Sequence, residues 1–140
     1  TVPIPSKPEA QRWLRQAKSD LQAAHNDIKH CSNWVLFKVH QALQKALVAA
    51  VLCRGKAFEA PVGLVGLAQW LEAAEPKLRG LAEEVEWLHG RGVDSKATQY
   101  PSCHPFPTTP SEAFHSVDEE EVLKRVQRVV GRLQDHVSRM

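Results

Sequence analysis

An all-α fold is predicted by three features of the chain. Residues 33–53 form a segment that is amphipathic at first and almost wholly apolar from Ala46 to Cys53, elsewhere apolar residues recur at helical spacing, and no stretch alternates as a strand would. A helix apolar nearly all round must be sheathed by other helices. The segment is therefore expected at the centre of a bundle of four to five helices.

The elements follow in order. Ser6-Lys7-Pro8-Glu9 has the form of a capping box with Pro in the first turn, and Trp13, Leu14, Ala17, Leu21, Ala24 and Ile28 then repeat at helical spacing. The first helix is expected from about Lys7 to His30. Ser32 or Asn33 can cap the second, which runs to about Arg54 and stops at Gly55, a residue able to take the left-handed conformation that ends helices. These two form a long antiparallel hairpin. After Pro61 and Gly63, Leu64, Leu67, Ala68 and Leu71 predict a short helix over about Val62 to Ala73. Pro76 opens a fourth, with Leu78, Leu81, Ala82, Val85 and Leu88 on its apolar face and Gly90 at its end. Pro101, Pro105, Pro107 and Pro110 make about Gly90 to Phe114 a long loop, within which Phe106 and Phe114 either pin the loop to the bundle or meet a second copy. Ser116-Val117-Asp118-Glu119 is a second capping-box sequence, and the last helix follows to the C-terminus.

The 140 residues suffice for one domain with one core, and there is no room for a second. A net charge of +2 is too mild to argue for nucleic-acid binding, which is not expected. No apolar run reaches the ~20 residues that cross a bilayer, so no membrane partner is expected. Cys31, Cys53 and Cys103 show neither paired nor zinc-ligand spacing, which points to no disulfide, no metal, and a reducing cytoplasmic setting. A chain that begins with Thr1 reads as a domain, spanning 1–140, cut from a longer protein.

Chemistry is sought first on the central helix. Lys38, Gln41 and Lys45 fall on one stripe of a helix with few other polar groups. Arg12, Arg15 and Lys18 from the first helix, or Arg54 and Lys56 after the second, are candidates to join them in holding an anion. One exposed ion pair contributes only ~0–1 kcal/mol, so a triphosphate needs several cations, and a twofold axis would double every cation near it. Gly63-Leu64-Val65-Gly66 lacks the Gly-Lys-Ser/Thr and preceding strand of a phosphate loop, so nucleotide hydrolysis is not expected. His40 is expected in the core, as are Trp13, Trp34, Trp70 and Trp87. On the last helix Arg125, Arg128, Arg132, His136 and Arg139 line a basic stripe whose plain reading is a solvated face complementing the helix dipole.

The long first helix, the Trp34 start of the second, Gln41-Ala42-x-x-Lys45-Ala46-Leu47-x-Ala49 and Gln99-Tyr100-Pro101 before a final helix resemble the HEPN domain, named for higher eukaryotes and prokaryotes nucleotide-binding. Glu9-Ala10-x-Arg12-Trp13-Leu14-Arg15-Gln16-Ala17, Arg54-Gly55-Lys56, Gly92-Val93-Asp94-Ser95 and Pro105-Phe106-Pro107 extend the resemblance toward the HEPN domain at the C-terminus of a large co-chaperone. It implies an up-and-down bundle that forms a homodimer and binds purine nucleotide (GTP or ATP) without hydrolysing it and with no cofactor required. It also implies a parent chain that meets Hsp70-type chaperones through its other parts. Many HEPN proteins are ribonucleases with an Arg and a His separated by four to six residues on the last long helix. Here three residues separate Arg132 from His136, and seven separate Arg128 from it, so that signature is missing. A ribonuclease with altered spacing and a ligand-free assembly domain stand as the alternatives.

Overall fold

The computed structural model describes residues 3–57 and 63–140, and among these it has six α-helices and no strand. They are α1 (Lys7–Asp27), α2 (Ser32–Cys53), α3 (Leu64–Ala74), α4 (Leu81–Gly90), α5 (Pro110–Ala113) and α6 (Glu119–Ser138). Single 3₁₀ turns lie at Pro76–Leu78 and Pro101–Cys103. As expected for its composition, α2 is the hub. α1 runs antiparallel along it, α6 packs on both, and α3 and α5 touch it from other sides. Every residue from Ala46 to Leu52 is buried. By length and composition α2 could cross a membrane, yet its apolar surface is spent on neighbouring helices.

Ser6 caps α1, its Oγ accepting from the Glu9 N–H at 3.2 Å. Glu9 does not complete the box. Its carboxylate turns forward and accepts from Arg12 at 2.6 Å and from the Trp13 indole N–H at 3.0 Å. The cap expected from Ser32 or Asn33 is also absent, because both side chains tie down distant parts of the chain. Ser32 donates to Glu119 at 3.0 Å, and buried Asn33 donates to the Thr98 carbonyl at 3.1 Å. Capping of α6 falls to Asp118, which accepts from the Glu121 N–H at 3.1 Å, so the helix starts after Asp118 and Ser116 is left exposed.

The fourth helix is broken where it was expected to be continuous. Gly80 sits at φ +93°, in the left-handed region, and separates the 3₁₀ turn from α4; its N–H donates to the Glu72 carboxylate. Arg132 of α6 then donates to the carbonyls of Lys77 (3.3 Å) and Arg79 (2.9 Å), acceptors that a continuous helix would have used itself. The Pro-rich loop is ordered further than its composition suggests. Thr109 and Glu112 form a reciprocal capping box for α5. Asp94 accepts from the N–H groups of Lys96 (2.8 Å) and Ala97 (2.7 Å). Of the two loop rings, Phe114 pins the segment to the core, with His104 edge-on at 5.7 Å, and Phe106 stands in solvent. Val62, the expected start of α3, lies outside the described residues.

Candidate functional site

The α1–α2 hairpin decides the surroundings of the lysine stripe. Lys38 Nζ donates to the Asp27 carboxylate, and Lys45 Nζ donates to Asp20 Oδ2 at 2.6 Å. Gln41 lies half-buried between them. All four charged side chains are partly exposed, so each pair is worth ~1 kcal/mol or less. The stripe therefore carries cations whose field is largely offset by carboxylates of the same chain.

The eight sequence-predicted residues are not gathered into one place. Arg12 and Lys45 line a recess of about 230 Å³ together with Gln16 and the half-buried ring of Trp13. Arg15 and Lys18 face the other way, into a recess of about 270 Å³ between α1 and α6. Arg54 and Lys56 belong to the far end of α2. Arg54 donates to the Ala74 carbonyl at 3.1 Å and lies 3.5 Å from His136 Nε2, and the Lys56 ammonium sits 4.8 Å above the Trp70 ring. The recess shared by Trp13, Arg12 and Lys45 thus combines a ring with two cations, the pair of features that a base and its phosphates need.

His40 is buried as expected, but it is packed rather than hydrogen-bonded. Its ring stacks on His89 with centroids 5.9 Å apart, and Nδ1 has no partner among the described residues. Burial, aided by His89 and opposed by Asp94, lowers its pKa to about 4. None of the tryptophans is fully buried. Trp13, Trp70 and Trp87 lie against the edge of the core and Trp34 is 41% exposed, with Phe37 edge-on to it at 5.8 Å. Two of the rings meet cations: Trp70 carries Lys56, and the guanidinium groups of Arg91 and Arg125 lie 4.0 and 3.9 Å from the Trp87 ring.

On α6 the Arg132 guanidinium is held by the two carbonyls already described. The His136 pKa is lowered by burial and by the adjacent Arg54, with Glu75 opposing. Arg125 grips Glu84 with two hydrogen bonds, of 3.2 and 3.1 Å. Cys31, Cys53 and Cys103 are all free thiols. No group of three or more His, Cys, Asp or Glu that could hold a metal ion occurs among the described residues.

Comparison with known proteins places this architecture. Residues 10–136 match the HEPN domain family. Human sacsin is 42% identical over 120 residues, which is 84% of this chain and only 2% of sacsin. The crystal structure of TT1696 from Thermus thermophilus superposes with a TM-score of 0.71, covering 91% of this chain and 97% of that one, at 24% identity; the likeness is one of fold.

Proposed function

Because the chain belongs to the HEPN family, we propose that it is a non-enzymatic module that pairs with a second copy and binds a purine nucleotide, GTP or ATP. Its setting is a large sacsin-like cytoplasmic co-chaperone acting with Hsp70-type chaperones. The observation that carries the reading is the recess of Trp13, Arg12, Gln16 and Lys45. A purine can lie against the indole while its phosphates reach the two cations. At about 230 Å³ the recess is smaller than the ~300–1,000 Å³ of ordinary ligand pockets, and both its cations already meet carboxylates, Arg12 with Glu9 and Lys45 with Asp20. One copy therefore offers part of a site, and a twofold axis beside α1 would bring two parts together.

The ribonuclease alternative has weaker support, since the Arg132 guanidinium is occupied by main-chain carbonyls rather than open to a phosphodiester. Isothermal titration with GTP and ATP, alongside sedimentation, tests the proposal. Expected are a dimer and micromolar-range binding that weakens with salt and is lost in Lys45→Ala. A monomer that gives no heat beyond dilution overturns it.

A further inference from the structure

The basic stripe of α6 is not a uniformly solvated face. Two recesses run along it, one of about 440 Å³ containing Glu84, Arg125 and Arg128, the other of about 350 Å³ containing Lys77, His136 and Arg139, and Arg132 lines both. They form one groove between α6 and the segment from α3 to α4. From Arg125 to Arg139 the helix rises ~21 Å, the length of about six residues of extended peptide. Five cations line it against three carboxylates, Glu75, Glu84 and Asp135. Glu84 is neutralised by Arg125, and the Glu75 side chain accepts from the Lys77 N–H. Arg128 and Arg139 are exposed and have no side-chain hydrogen bond or ion pair among the described residues. Positive charge is thus left over in a concave, linear channel, away from the lysine stripe and from the Trp13 recess.

We infer that this groove binds an acidic peptide in extended conformation. Arg128 and Arg139 are 11 residues apart, ~17 Å along α6, which is the span of about five residues of extended chain, so the two unpaired guanidinium groups can meet carboxylates near the two ends of one acidic peptide. The half-exposed Met140 adds apolar contact at one end. A single-stranded nucleic acid fits less well. Sequence-tolerant binding of bases needs open aromatic faces, and no aromatic ring lines either recess except His136. The nearest indole, Trp87, already carries the guanidinium groups of Arg91 and Arg125.

The test uses the 140-residue chain and fluorescein-labelled hexaglutamate, read by fluorescence anisotropy at low salt. Saturable binding is expected, weakening ~10-fold or more between 20 and 200 mM salt. Arg128→Glu combined with Arg139→Glu weakens it at least ~10-fold, while Arg15→Glu with Lys18→Glu, on the other side of α6, changes it less than ~2-fold. Circular dichroism checks that both doubly substituted chains keep their helices. Saturating GTP does not displace the peptide, which separates this groove from the nucleotide reading. Absence of binding, equal losses in the two variants, displacement by GTP, or tighter binding of a hexauridylate probe than of hexaglutamate would each overturn the inference.

Discussion

Lys45 of α2 reaches back across the hairpin to Asp20 of α1, their charged atoms 2.6 Å apart, and Lys38 does the same to Asp27. The two pairs advance together, seven residues up one helix for seven down the other, as an antiparallel register requires. A slip of one residue would rotate both lysines away from both carboxylates. Modest as the energy of each pair is, together they favour one register over its neighbours.

The same pairing limits what the stripe can offer a phosphate. Asp20→Asn keeps the side chain's shape and removes the charge that competes for Lys45. Because the pair is partly exposed, unfolding free energy is expected to fall by no more than ~1 kcal/mol, measured by urea titration. If Lys45 contacts nucleotide, relief of a repulsive carboxylate ~6 Å from the phosphates raises GTP affinity by roughly threefold to tenfold in isothermal titration. Unchanged or weaker affinity would place the phosphates elsewhere.

His40 makes the fold sensitive to acid. Its folded-state pKa, about 4, lies below the ordinary 6.5, so the unfolded chain takes up a proton first as pH falls. The stability held above the unfolded pKa is lost progressively on the way down to pH 4, and this one group accounts for ~2–3 kcal/mol between pH 7.5 and 4.5. His136, lowered by burial and Arg54, acts in the same direction. Unfolding free energies from urea titration at the two pH values should therefore differ less in His40→Gln than in the unsubstituted chain, by about that amount, whatever the substitution costs at neutral pH.

Much of this was legible from periodicity alone. The apolar run of α2 requires neighbours on all sides, and the repeats of α1 and α6 leave little choice about which face they bury. The partners of the lysine stripe could have been read too, since Asp20 and Asp27 stand at the same spacing as Lys38 and Lys45 in a hairpin already inferred. Other features have no local signal. Ser32, Asn33 and Glu9 look like caps until Glu119, Thr98 and Trp13 claim their side chains. Arg132 looks like a free cation until the break at Gly80 presents it with two carbonyls. The tryptophans look like core residues because their hydrophobicity says nothing of the cations that cover the rings of Trp70 and Trp87. The scatter of Arg12, Arg15, Lys18, Arg54 and Lys56 over separate recesses likewise depends on where α6 and α3 pack, which no spacing within α1 or α2 encodes.

Two glycines should respond oppositely to the same added methyl group. Gly131 lies inside α6 with helical backbone, and a Cβ built there meets nothing within 4 Å. Gly131→Ala gains helix propensity and reduces the freedom of the unfolded chain, and is expected to stabilise by ~1 kcal/mol. Gly80 also has open space around it, so packing cannot separate the two sites. Its φ of +93° can, because an L-residue there is strained, and Gly80→Ala is expected to cost ~1–2 kcal/mol. In a domain of 140 residues these changes move the melting temperature by a few degrees in opposite directions, readable by calorimetry. Were Gly80→Ala neutral, the break before α4 would be soft enough to re-form as helix. Arg132 would then lose the carbonyls of Lys77 and Arg79 and stand free in the groove it lines.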